Sequence, residues 1–132
     1  MHPLMPVDAR VLARVRKICL GWPSANEAIK WGRPHFMAGK KLFANVGPTQ
    51  ERPSISIKVT PLLQAELTER PGFVLTPYSA HQGWVSCFTD RKFDWDEVAD
   101  YLRVGYRLVA QKRMLAAMDA LESKSTTKGL AR

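Results

Sequence analysis

Trp31-Gly32-Arg33-Pro34-His35-Phe36-Met37-Ala38-Gly39-Lys40-Lys41-Leu42-Phe43-Ala44-Asn45-Val46 decides how the chain is read. Gly32 and Pro34 interrupt an extended run. Beyond them, a tight turn at Gly39-Lys40-Lys41 joins two runs whose side chains alternate, the pattern of a β-hairpin. Phe36 and Ala38 point one way before the turn, and Leu42, Ala44 and Val46 alternate with Phe43 and Asn45 after it. The stretch reads as the centre of a sheet. It also gathers Trp31, Arg33, His35, Lys40 and Lys41 within eleven residues. Cations interleaved with aromatic rings suit a nucleic acid, because the cations hold phosphates and the rings stack on bases. It contains no catalytic constellation.

Upstream, Asp8 caps a helix whose apolar positions Val11, Leu12, Val15, Ile18 and Cys19 recur at three and four residues, with Arg10, Arg14 and Lys17 on the other side. Gly21 and Pro23 end it. Residues 25–31 form a short strand with Glu27, Ile29 and Trp31 on one face. Downstream, Gly47-Pro48 closes the hairpin and Thr49–Pro53 is a polar loop. Ser54–Val59 alternates most cleanly: Ile55, Ile57 and Val59 face the core, while Ser54, Ser56 and Lys58 face outward. Thr60-Pro61 starts a helix with contacts from Leu62, Leu63 and Leu67, and Pro71-Gly72 stops it.

Two further extended runs, Phe73–Tyr78 and Gly83–Thr89, turn at His81-Gln82-Gly83. In the second, Trp84, Ser86 and Phe88 alternate against Val85 and Cys87. Asp94-Trp95-Asp96-Glu97 has the form of a capping box. The helix it opens runs through Val98, Tyr101, Leu102, Gly105, Leu108 and Val109, and Leu115, Met118 and Leu121 extend the pattern. Periodicity ends at Ser123. These elements describe one α+β domain over residues 1–122, an antiparallel sheet with N-terminal and C-terminal helices packed on it, and a mobile tail over 123–132.

A chain of 132 residues buries about two thirds of its unfolded surface and needs no staples. Two cysteines are too few for a disulfide scaffold, and Cys19 and Cys87 fall at core positions, as buried thiols of a reducing compartment do. No run approaches the roughly 20 apolar residues of a membrane span, and the first residues lack the basic and apolar regions of a leader. The expectation is a soluble, cytoplasmic protein, a monomer or weak dimer. His2, His35 and His81 are too scattered for a metal pair, and no cofactor motif, P-loop or Gly-x-Ser-x-Gly elbow is present. A nucleophile at Ser86 or Cys87 with His81 as base is the kind of triple that any chain of this size offers. No metal, cofactor or reaction is expected.

The net charge of +8 is unevenly distributed. Ten Lys and Arg stand against two Asp and Glu in residues 10–58, three against seven in 59–101, and seven against two in 102–132. A basic surface draws polyanions by releasing their counterions, although a basic face is also an ordinary solvated one.

Taken in order, Trp31-Gly32-x-Pro34-x-Phe36, Gly39-Lys40-Lys41-x-Phe43-Ala44, Ser56-Ile57-Lys58-Val59, Pro71-Gly72-Phe73 with Pro77-Tyr78, Gly83-Trp84-Val85 and Tyr106-x-Leu108-Val109 resemble the MmcQ/YjbR family of small bacterial proteins. The resemblance spans residues 11–113 and implies a fold similar to that of frataxin (CyaY-like). It also implies DNA binding through a double-wing arrangement, with no established reaction. Gly105 departs from the serine usual there in the family. Two functions follow as expectations. The first is a non-enzymatic DNA-binding module in which Lys40, Lys41, Lys58 and Arg33 hold phosphates and Trp31, His35 and Trp84 line the same surface. The alternative is a pocket for a small anionic ligand or a protein partner.

Overall fold

A computed structural model of the chain describes residues 4–130, with side chains described as far as residue 124. Helix α1 (Ala9–Cys19) precedes strands β1 (Ala25–Lys30), β2 (Arg33–Ala38), β3 (Lys41–Thr49) and β4 (Arg52–Lys58). Helix α2 (Pro61–Thr68), strands β5 (Phe73–Leu75) and β6 (Trp84–Phe88), and helices α3 (Trp95–Val109) and α4 (Lys112–Leu130) follow. The six strands form one antiparallel sheet in the order β1-β2-β3-β4-β6-β5. The fold is α+β, as expected.

The first four strands are successive hairpins joined by two-residue turns, the first and third with both residues in left-handed backbone, the geometry that matches strand twist. Trp31 (φ 51°) and Gly32 (φ 78°) make the first of these turns, and Gln50 (φ 53°) and Glu51 (φ 62°) the third. Trp31 is therefore a turn residue and does not lie in a strand. The expected polar loop is also shorter, because β3 and β4 stay paired out to Thr49 and Arg52 and enclose Gly47 and Pro48. Between β2 and β3 the register slips: Phe36 pairs with Ala44 and Met37 with Leu42. Phe43 is the extra residue, so it joins Ala44 in the core where simple alternation would turn it away.

The apolar face of the sheet is closed by α1 and α3. Val11, Val15 and Cys19 of α1 and Val98, Leu102 and Tyr106 of α3 meet Phe36, Val46, Ile55, Ile57 and Val85. Asp8 caps α1 as expected, accepting from the amides of Arg10 and Val11 at 2.9 and 3.2 Å. At Gly105 the α3 backbone rests on the sheet itself: a Cβ there would lie 2.7 Å from the Lys58 carbonyl oxygen and 3.2 Å from that of Phe43. The next residue, Tyr106, packs its ring 5.2 Å from Trp22 and 5.7 Å from Phe43, and its hydroxyl donates to the Pro23 carbonyl at 2.5 Å.

Several local expectations change. Asp94 caps α3 by accepting from the Asp96 amide, but Glu97 turns away from the cap to Arg70 and Tyr101, whose donors hold its carboxyl below the usual range. No capping box forms, because a cation is within reach. Leu62 faces solvent, while Leu67 and, partly buried, Leu63 carry the apolar contacts of α2 as expected. The long C-terminal helix divides at Ala110, whose backbone is extended (φ −66°, ψ 143°). Helix α4 then folds back along α3, where Arg103 pairs with Glu122 at 2.7 Å and Arg107 with Asp119 at 2.9 Å. The backbone of α4 is helical to Leu130, within the stretch read as a tail over 123–132, and residues 131 and 132 lie outside the described ones.

A side chain at position 105 has to displace strand backbone. Gly105→Val should lower stability by about 1–3 kcal/mol in urea unfolding. An unchanged midpoint would mean that α3 does not rest on the strands.

Candidate functional site

The opposite face of the sheet carries no helix layer in the core, and its chemistry is polar. Ser54 and Ser56, expected to face outward, do point to this side but are buried. They are buried because hydroxyls satisfy one another. Ser86 lies 2.7 Å from Ser56, 2.9 Å from Thr76 and 3.1 Å from Thr49, and Ser54 is 2.7 Å from Thr49 and donates to the Gly47 carbonyl at 2.7 Å. Beside this floor opens a groove of about 610 Å³. One wall is the end of β3 at Pro48 and Thr49 with the turn residue Gln50. The other is the segment Thr76–Ser79, pinned where the Thr76 amide donates to the Trp84 carbonyl at 3.3 Å.

Arg33 and His35 alternate onto this face from β2, and Asn45 of β3 sits directly opposite His35. The Arg33 guanidinium lies across Gly47, where a Cβ would fall 3.0 Å from its central carbon. It donates through Nη2 to the Pro48 carbonyl at 2.9 Å, through Nη1 to Asn45 Oδ1 at 3.3 Å, and contacts Met5 Sδ at 3.1 Å. These acceptors are all neutral. Among the described residues the five ion pairs engage Arg16, Arg52, Arg70, Arg103 and Arg107, never Arg33. The contrast appears in proton affinity. Hydrogen bonds to carboxylates raise the pKa of Arg16, Arg52, Arg70 and Arg103, whereas burial lowers that of Arg33. The group remains a cation, as arginine does in proteins. A half-buried cation with only neutral partners carries its charge with no carboxylate to offset it.

His35 is 5% exposed and Nδ1 lies 3.1 Å from the Arg33 carbonyl oxygen. A carbonyl only accepts, so Nδ1 carries the proton. Burial first, then the charges of Arg33 and Lys30, push the imidazole pKa below its ordinary 6.5. The ring also supports Trp31, edge-on at 5.3 Å. Trp31 remains 57% exposed and Tyr78 98% exposed, and both line the groove.

The groove thus brings together three of the seven residues expected to form one surface: Trp31, Arg33 and His35. The other four lie elsewhere. Lys40 and Lys41 follow the far end of β2, about 17 Å along the strand from the Trp31 turn. Lys58 donates through Nζ to the Gln82 carbonyl at 2.7 Å, and Trp84 is 7% exposed, so its ring presents no open face for stacking. Tyr78 and Asn45 were not singled out from the sequence. Pro77-Tyr78-Ser79 following a short strand was the available sign of a loop carrying an exposed ring. Cys19 and Cys87 are both buried free thiols, the latter pushed up to about 11 by burial. Neither is a ready nucleophile. Among the described residues no helix is long and apolar enough to cross a membrane.

The architecture defines a class: a small α+β domain with one antiparallel sheet, helices sealing its apolar face and a cationic groove open on the other. A family model, YjbR, matches residues 20–108, and the chain belongs to that family. Two solved structures share the fold. A Deinococcus radiodurans protein with a DUF419 domain superposes with a TM-score of 0.66 at 22% identity, over 81% of this chain and 83% of that one. A Pseudomonas syringae protein superposes with a TM-score of 0.60 at 15% identity, over 76% and 96% respectively. No curated protein matches the chain.

A lowered imidazole pKa links His35 to stability. The folded state disfavours the protonated ring, so the stabilisation is complete above about pH 6.5 and is lost as pH falls below it, by about 1.4 kcal/mol for each unit of depression. Between pH 7 and 5, above the range where carboxylates titrate, the wild type should lose more stability in urea titrations than His35→Gln. Equal losses would show that His35 is not held neutral.

Proposed function

We propose that the protein is a non-enzymatic nucleic-acid-binding module whose groove holds a phosphate on Arg33. The observation that carries this reading is the half-buried Arg33 guanidinium, which lines the groove with neutral partners only. The net charge of +8 supports it, since a basic surface gathers a polyanion around such an anchor. Membership of the YjbR family is compatible with the reading and does not specify it. Lys40 and Lys41, exposed where β2 turns into β3, extend the positive surface without lining the groove.

The size of the groove favours a second reading. About 610 Å³ falls within the roughly 300–1,000 Å³ of small-ligand sites, so a free phosphorylated metabolite is the alternative occupant. A thermal-shift screen separates the two. A metabolite pocket is stabilised most by one phosphorylated compound that is not a nucleotide, whereas the module is stabilised more by an oligonucleotide than by the matching mononucleotide.

Anisotropy titrations of labelled DNA at about 50 and 200 mM salt test the proposal, because several phosphate contacts cost orders of magnitude in affinity over that range. Arg33→Gln should weaken binding and reduce the salt slope by about one unit. An unchanged slope would remove Arg33 from the interface.

A further inference from the structure

We infer that the groove takes one unstacked base between Trp31 and Tyr78 with its phosphate on Arg33, so that the module prefers single strands to duplex. The inference rests on the nucleic-acid reading above and adds the form of the substrate. Its basis is the pair of rings. Phe36, Phe43, Trp84 and Tyr106 are all buried, whereas Trp31 and Tyr78 stand in solvent on the rim of the same groove. Both have left-handed backbone, φ 51° and 67°, a conformation that bulky side chains rarely adopt. At Trp31 the hairpin turn itself calls for that backbone, whereas Tyr78 lies outside the two-residue hairpins, so there the fold accepts strain at an exposed aromatic residue, as happens at ligand clamps.

The two rings are positioned independently. Trp31 is set by the β1–β2 turn and steadied by the edge of His35. Tyr78 is carried by the segment that Thr76 ties to β6 through the Trp84 carbonyl and the Ser86 hydroxyl. Arg33 lines the groove with them, bonded to Asn45 and the Pro48 carbonyl. A flat ring and an attached anion are what such a site complements: π-faces accept any base, and a guanidinium accepts phosphate. Bases inside a duplex are stacked on each other and offer no free face, so a walled groove reaches only those splayed out of a strand.

The test compares a labelled oligothymidine with a duplex of the same length, by anisotropy, for the unchanged protein, Trp31→Ala and Tyr78→Ala. The unchanged protein should bind the single strand more tightly. Each substitution should weaken that binding about 5- to 150-fold, the range of one lost stacking contact, while duplex binding, which depends on phosphates, stays within about twofold. A second readout needs no variant: the single strand should quench the tryptophan emission of the unchanged protein more than the duplex does, Trp31 being the exposed indole. Equal affinity for both oligomers, or single-strand binding unmoved by both substitutions, overturns the inference and leaves the nucleic-acid reading in place. Failure of the unchanged protein to bind either oligomer overturns both.

Discussion

Helix α3 meets the sheet backbone on backbone at Gly105, with no side chain between them. That contact brings Tyr106 down between Trp22 and Phe43 and lets its hydroxyl reach the Pro23 carbonyl. With α1 alongside, it gathers the apolar side chains of the sheet on one side. The other face buries Trp84 and Phe88 beside hydroxyls, an amide, an imidazole and a guanidinium.

That polar face is ordered because its groups satisfy one another. Ser86 connects Thr49, Ser56 and Thr76, which joins β3, β4, β6 and the segment after β5 through side chains as well as strand pairing. Buried hydroxyls with partners cost little, and together they make a stiff floor. Arg33 differs. Desolvation works against its charge and no carboxylate offsets it, the opposite of Arg16, Arg52, Arg70 and Arg103. Among the described residues its partners are neutral, and the proposed phosphate contact rests on that setting.

Alternation and capping made most of the fold legible. Ile55, Ile57 and Val59 mark a core strand by period two, and Asp8 announces α1 through the bonds its side chain makes. What escaped lacked a local signature. Gln50-Glu51 turns a hairpin without glycine, Ala110 breaks a helix without glycine or proline, and Phe43 shifts face because of a register slip that depends on the partner strand. The candidate site divides the same way. Trp31, Arg33 and His35 were readable because they are close in sequence. Tyr78 and Asn45 join them only through sheet order, and Trp84, which alternates onto the correct face, is covered once the chain folds.

The central claim is that recognition takes place in the Arg33 groove and not on the basic surface at large. Amide and indole NMR shifts recorded while a short single-stranded oligonucleotide is added test it directly. The account expects the largest changes at Trp31, including its indole N–H, and at Arg33, Asn45 and Tyr78, with the α1 face of Arg10, Arg14 and Lys17 nearly still. Changes confined to that helix face or to Lys40 and Lys41, with the groove signals unmoved, would contradict it.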